Sequence, residues 1–377
     1  LVEHDLKRLL AYHSVENIGI ILLGLGAGML FQTYRLEALA ALALIAALYH
    51  TLNHAVFKSL LFMGAGAVLH ATRTRNMEEL GGLIKRMPQT AVFFLVGSLA
   101  IAALPPFNGF ISEWLTFQSF LLSFQISAHT VNLIFALGVA ALALTSGLAA
   151  ACFVKAFGIT FLALPRSEAA ALAHEVEWTM RTAMAALALA CIALGVAPFV
   201  ILAPLDATAF DLMGAHADMR FDWNALVTND GFGWVAPLWI ALGLGVFLIA
   251  IPLALGLMGT NKRRRYFETW GCGRALQTAR FEYTATAFAN PFKRVFALLY
   301  RPVKQLDIEF HPESRYFVRT LTYYNEGRLI FEDTFYKPLL RMIQLVAREA
   351  RVLQSGNVHS YLVYILVTLV ALLILTV

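Results

Sequence analysis

Charge is what this chain is short of. Charged residues make up 14% of its 377 residues and hydrophobic ones 59%, where soluble chains carry about 25% charge. With a mean hydropathy of +0.68, too few ionised groups remain to clothe a water-facing surface. Soluble, disordered and fibrous classes are excluded, and the bilayer must be the solvent for most of the chain. Cysteine is nearly as scarce. Cys152, Cys191 and Cys272 stand apart, with no C-x-x-C pair. Isolated thiols cannot build an iron–sulfur cluster, which normally takes four ligands, nor the paired-Cys site of a nickel–iron centre. No cofactor is expected in this chain, and any iron–sulfur or metal centre belongs to partner subunits. A phosphate-binding G-x-x-x-x-G-K-[ST] loop and an H-E-x-x-H metal motif are also absent. No initiator Met or signal peptide precedes Leu1 and the charged stretch Glu3–Arg8, which predicts a fragment lacking an N-terminal part.

What is there is a succession of apolar runs. A crossing helix needs about 20 mostly apolar residues. Candidates fall at 14–31, 38–69, 88–104, 106–126, 130–163, 180–203, 234–258 and 358–377. The fourth opens on Pro105-Pro106, with Gly109 close by, and carries Asn108, Glu113, Gln118 and Gln125. Such a composition predicts an interrupted helix, tolerated at membrane depth only inside protein or beside a watery cavity. Gly19, Gly24, Gly26 and Gly28 predict close helix packing.

The charges that exist are unevenly placed. Residues 259–357 hold 17 of the 29 Lys/Arg and 9 of the 24 Asp/Glu, a net +8, which leaves the remainder at −3. The cluster Lys262–Arg265, just after an apolar run, argues for the cytoplasmic side. A membrane surface or cytoplasmic partner accounts for this segment better than nucleic acid does. The acidic stretch 204–234 is expected to be an outer loop. Alternation then puts 71–87 outside, against its own basic residues. Within 331–354, Phe335, Leu339, Met342, Val346, Ala350 and Leu353 keep helical spacing, while Arg341, Gln344, Arg348 and Arg351 take the other face. That is an amphipathic helix.

The informative residues are those the apolar runs fail to exclude, because an ionised side chain at a bilayer centre costs about 2.5–3.5 kcal/mol. His50, His54 and Lys58 are spaced i, i+4, i+8 and form one stripe about 12 Å long on a helix. Histidine exchanges protons near neutral pH, so the stripe suits a proton relay bridged by water. Zinc binding, satisfied core histidines and a snorkelling Lys58 are the alternatives. Glu113, beside the break formed by Pro105, Pro106 and Gly109, reads as a relay terminus or as an ion-pair partner of Lys58 or Lys155. Lys155 either continues the relay or snorkels towards Arg166. Asp5, Lys7 and Arg8 read as a solvated helix start.

Four stretches together resemble a known family: Asp5–Ser14, His54–Phe62, Gly81-Gly82-Leu83 and Pro105–Glu113. They are similar to the antiporter-like membrane subunits of respiratory complex I, Mrp antiporters and membrane-bound hydrogenases. Thr269–Gly273, Glu282–Ala285 and Leu353–Asn357 resemble the hydrogenase-4 and formate hydrogenlyase branch. The resemblance implies an all-α integral membrane protein. Residues 1–165 would be the second of two inverted five-helix repeats, with a broken helix. Further transmembrane helices at 166–258, a basic cytoplasmic segment at 259–357 with a lateral amphipathic helix, and a last span at 358–377 would follow. His50, His54 and Lys58 would lie on a central hydrophilic axis, Glu113 at its end. His13 stands where relatives often have serine, a departure expected to be of no consequence. The implied function is proton translocation coupled to electron transfer in an energy-converting hydrogenase-like or NADH–quinone-type complex. Its partners would be other membrane subunits and a peripheral redox arm in a bacterial or archaeal cytoplasmic membrane. A sodium/proton antiporter subunit and a static membrane anchor are the other functions considered.

Overall fold

The computed structural model describes residues 1–228, 231–259, 273, 277–300, 303–326, 331–351, 354 and 356–375. Asp230, the Lys262–Arg265 cluster, Thr269–Cys272, Leu353 and Ser355, named above, lie outside the described residues. The chain divides into two compact units, Leu1–Asn290 and Pro291–Val377.

Among its described residues, the first unit is mostly helical. In order come α1 (Leu6–Thr33), α2 (Glu37–Thr72), α3 (Pro88–Ile101), α4 (Asn108–Leu121), α5 (His129–Phe161), α6 (Glu168–Leu172), α7 (Trp178–Val196) and α8 (Phe199–Met213). Three short strands follow, β1 (Met219–Phe221), β2 (Leu226–Thr228) and β3 (Gly233–Val235), in one antiparallel sheet, and then α9 (Pro237–Leu257). Among the described residues of the whole chain, six helices are long and apolar enough to cross a membrane: α1, α2, α5, α7, α9 and Val358–Leu375 of the second unit.

Local chemistry sets the helix ends. Asp5 starts α1, its carboxylate accepting from the Arg8 backbone N–H at 2.9 Å, as an N-cap should. Pro88 opens α3, and the Glu175 carboxylate accepts from the Gln89 N–H at 2.9 Å and from the Thr90 hydroxyl at 2.5 Å. A negative charge there favours the positive helix end. Helix α8 stops at Gly214 in the left-handed region (φ +76°).

Three expectations need adjusting. The apolar run 180–203 is two helices, because Pro198 separates α7 from α8. Helix α8 then continues through Pro204, Asp206 and Asp211, and the three strands follow it. Of the four glycines expected at a helix contact, Gly24 and Gly28 do face α2. A Cβ on Gly24 would sit 3.0 Å from that of Ala47, and one on Gly28 would sit 3.3 Å from the Ala40 oxygen. Gly19 and Gly26 meet nothing within 4 Å.

Packing produces two apolar cores. One gathers Leu6, Leu9 and Leu10 of α1, Phe57, Leu60 and Leu61 of α2, Phe94 of α3, and Cys152 and Phe153 of α5. The other gathers Ala27 and Phe31 of α1, residues 39–46 of α2, Ile111 and Leu115 of α4, and Phe135 of α5. Along α1 and α2, the buried polar residues His13, Asn17, His50 and Asn53 lie between the two cores.

The loop after α2 is tied at its base. Residues Asp5 and Asn76 form a β-bridge, and Arg166, its side chain nearly enclosed, pairs with Glu282 at 3.3 Å. The same guanidinium donates to the Glu78 and Met77 carbonyls at 3.2 Å each. Glu78 accepts from both the backbone N–H and the hydroxyl of Thr286 at 2.6 Å each, with His4 at 3.2 Å. Burial alone would raise the Glu78 carboxyl, but the hydrogen bonds from His4 and Thr286 outweigh it and hold it at about 2. A depressed carboxylate stabilises the fold above its unfolded pKa and loses that contribution as pH falls through the folded one. The attachment of Thr286 should therefore hold at neutral pH and weaken from the ordinary carboxylate range down towards about 2. Glu78→Ala should mimic the weakened state at neutral pH, with faster amide hydrogen exchange over 284–290. Unchanged exchange there would refute the attachment.

The second unit holds the end of α10 (Ala285–Val295, which begins in the first unit), α11 (Ala297–Tyr300), an antiparallel hairpin of β4 (Val303–His311) and β5 (Ser314–Glu326), α12 (Lys337–Ala350) and α13 (Val358–Leu375). The amphipathic segment expected at 331–354 is a π-helical turn, Glu332–Tyr336, leading into α12. Among the described residues the fold is mostly helical, with five strands that the all-α expectation did not include.

Candidate functional site: a polar layer between two apolar cores

The polar layer is assembled from four helices. Helix α1 contributes His13, Glu16 and Asn17, α2 contributes His50, Asn53, His54 and Lys58, α4 contributes Asn108, Ser112 and Glu113, and α5 contributes Ser146. His50, Asn53, Lys58, Asn108, Ser112 and Glu113 are all buried. Polar groups taken out of water cost free energy unless they find partners, and most of these have found them.

His50 is the hub. Its Nδ1 lies 3.0 Å from the Ser112 hydroxyl and its Nε2 lies 3.2 Å from the Asn17 amide oxygen. One imidazole thus joins α1, α2 and α4. Asn53, one turn on, donates to the Asn108 carbonyl at 3.0 Å and to Ser112 Oγ at 3.1 Å. Asn108 returns a bond from its own amide to Asn53 Oδ1 at 3.2 Å. Asn17 donates to the His13 carbonyl at 2.8 Å, which fixes its amide for His50.

His54 is differently placed. Its Nε2 is enclosed but has no hydrogen-bond partner, and its ring meets the edge of Phe57 at 5.7 Å. A buried ring nitrogen without a protein partner is where a water molecule belongs. Lys58 reaches across to α1, where its ammonium donates to the Leu10 carbonyl, and it lies 5.2 Å from the centre of the Phe62 ring. It is not a snorkelling side chain, since it turns inward and is buried.

Glu113 accepts a hydrogen bond from Ser146 of α5 at 2.6 Å. Its position depends on the break between α3 and α4, which spans 102–107 and includes a cis Pro105-Pro106 peptide. Two helices of 14 residues each are about 21 Å long and fall short of a hydrocarbon core about 30 Å thick. The break is flanked by close backbone approach. A Cβ on Gly109 would lie 2.0 Å from the Ala100 oxygen, and one on Gly195 of α7 would lie 2.1 Å from the Pro106 oxygen. Only glycine allows the pieces to meet there.

Lys155 is fully buried on α5, and its ammonium donates to the Leu1 and Glu3 carbonyls at 2.6 Å each. No cluster of metal-ligating side chains occurs among the described residues.

Residues 1–145 match the family described as NADH:quinone oxidoreductase/Mrp antiporter, transmembrane. That segment holds every member of the polar layer except Ser146. Hydrogenase-4 component B of Escherichia coli K12 is 36% identical over 380 residues, covering 99% of this chain and 56% of that protein. Formate hydrogenlyase subunit 3 of the same organism is 40% identical over 315 residues, covering 83% and 49%. The chain spans about half the length of the curated relatives it matches. Among solved structures, an archaeal respiratory membrane complex, the membrane-bound sulfane sulfur reductase, contains a chain of the same fold. It has a TM-score of 0.58 at 20% identity, over 96% of this chain and 55% of that one. The antiporter-like resemblance expected from the sequence, including the hydrogenase-4 and formate hydrogenlyase branch, is thus borne out.

The polar layer also contains residues that the sequence did not single out. Asn17, Asn53, Ser112 and Ser146 had no signal beyond being polar inside apolar runs. Glu16 had one, since it is a carboxylate within the first candidate span. His13, a departure expected to be of no consequence, hydrogen bonds Glu16 and lies 4.8 Å from the Phe153 ring.

Proposed function

We propose that this chain is a proton-translocating membrane subunit of an energy-converting hydrogenase-like or NADH–quinone-type complex. The observation that supports it most is the polar layer. Four helices place exchangeable groups between two apolar cores, inside the segment matching the antiporter family. His50, His54 and Lys58 are the relay and Glu113 its terminus, with His50 oriented by Ser112 on one side of its ring and by the Asn17 amide oxygen on the other. Lys155 serves as an anchor for 1–3 more readily than as a relay member. Residues 1–165 are taken as the second of two inverted half-channel repeats. Residues 166–258 add transmembrane helices, and 358–377 is the last span. The segment 259–357 faces the cytoplasm, and α12 lies laterally along the membrane, bracing a neighbouring subunit. Iron–sulfur and metal centres belong to a peripheral redox arm, and electron transfer there shifts charge or hydration along the relay. The complex sits in a bacterial or archaeal cytoplasmic membrane.

The family description also names Mrp antiporters, so a sodium/proton antiporter subunit is the second reading. The assembled complex in liposomes separates them. Proton uptake should proceed unchanged when sodium is replaced by choline. A strict sodium requirement would defeat the proton reading in favour of antiport.

A further inference from the structure

Glu16 is a carboxylate in the middle of the polar layer, and the relay of His50, His54, Lys58 and Glu113 leaves it unused. It sits in α1, an apolar helix long enough to cross a membrane, with only 20% of its side chain exposed. An acid in such a place is costly and needs a reason. One turn before it, His13 supplies a hydrogen bond to its Oε2.

The neighbours of Glu16 are the relay residues. Six residues earlier on α1, the Leu10 carbonyl holds the Lys58 ammonium. The next residue, Asn17, holds His50, and His50 in turn holds Ser112, which adjoins Glu113. The charge of Glu16 is within electrostatic reach of both the Lys58 ammonium and the Glu113 carboxyl. Between Lys58, bonded to α1, and Glu113, bonded to α5, it is the further ionisable group that both feel.

We propose that Glu16 is a proton-carrying station between Lys58 and Glu113, aimed by His13. The assignment rests on the proton-transport reading given above. The Lys58 ammonium gives a proton, across bridging water, to the Glu16 carboxylate, which leaves a neutral amine and a carboxylic acid. Glu16 then passes that proton to the Glu113 carboxylate and is itself a carboxylate again. One proton has moved, and the proton lost by Lys58 is the one gained by Glu113. His13 is a positioning residue, because its hydrogen bond keeps the carboxyl from turning out of the layer.

The test uses the full-length protein in its assembled complex, reconstituted in liposomes, with proton uptake measured in H2O and D2O. Glu16→Gln keeps shape and hydrogen bonding but cannot carry the proton. It should lower uptake by about tenfold or more, the lower range of what a positioned acid–base group contributes. Glu16→Asp shortens the arm by one methylene and should slow uptake severalfold, with a larger solvent isotope effect than the wild type. Uptake at the wild-type rate in Glu16→Gln overturns the assignment. Should Glu16→Gln not assemble, Glu16→Asp decides alone, and an unchanged rate and isotope effect overturn it. Lys58→Ala and Glu113→Gln run alongside. If they are impaired and Glu16→Gln is not, only the role of Glu16 falls. If they too transport normally, the relay itself falls.

Discussion

Lys58→Ala should abolish most proton transport while the complex still assembles. The ammonium is buried and bonded to a backbone carbonyl of α1, so alanine removes both a charge and the only amine in the layer. A positioned acid–base group contributes on the order of 10²–10⁴-fold to a proton-transfer step. A loss of at least about tenfold is therefore expected even if water partly bridges the gap. Glu113→Gln makes the cleaner variant. Its amide oxygen can still accept from Ser146, so the contact between α4 and α5 survives and only the exchangeable proton is lost. The two substitutions should give the same loss, measured as dye-reported acidification per unit of driving reaction in vesicles. Intact pumping in both, with normal assembly, would leave the chain a static anchor.

Gly109→Ala should have the largest effect on stability. The added Cβ would lie 2.0 Å from the Ala100 carbonyl oxygen and 3.1 Å from its carbon. Both atoms are backbone, so no rotamer change relieves the clash, and one of the two helices must shift. Overpacking of this kind costs about 1–3 kcal/mol, and more where backbone is struck. The shift also moves Ser112 and Glu113, four residues on at most, away from His50 and Ser146. Detergent-solubilised complex should show a lower unfolding temperature and reduced transport together. Gly66→Ala is the matched control, since nothing lies within 4 Å of a Cβ there and alanine is the better helix former. Equal stability of the Gly109 variant and the wild type would mean that the approach of α4 to Ala100 is looser than described.

The histidine stripe was legible because its signal is local. Three titratable residues at i, i+4, i+8 share a helix face wherever that helix sits. Their partners were not legible, because Asn17 and Ser112 come from α1 and α4 and only tertiary packing decides which helices adjoin. Glu16 is a carboxylate in an apolar run, but no i, i+4, i+8 stripe of histidine and lysine like that of α2 sets it apart. Lys155 had the same local appearance as Lys58, but it packs against the start of the chain instead. The strands show a different loss. Those of β1, β2 and β3 are three residues each, too short for alternation to register. In β4, alternation was present: Leu306, Ile308 and Phe310 alternate with Gln305, Asp307 and Glu309, a period of 2 that a search for 20-residue runs passes over. Helix α8 shows that two aspartates and a proline need not end a helix when the residues between them are Leu, Ala, Thr and Phe.

The seat of the Lys58 ammonium is a main-chain oxygen, that of Leu10. No point substitution at position 10 can delete it, since every amino acid brings the same oxygen. A change of that side chain therefore reaches the dock only through the apolar core in which Leu10 is buried. Retiring the dock would instead require α1 to rotate or slide as a body, so the resting place of this charge is inherited from the course of the chain itself.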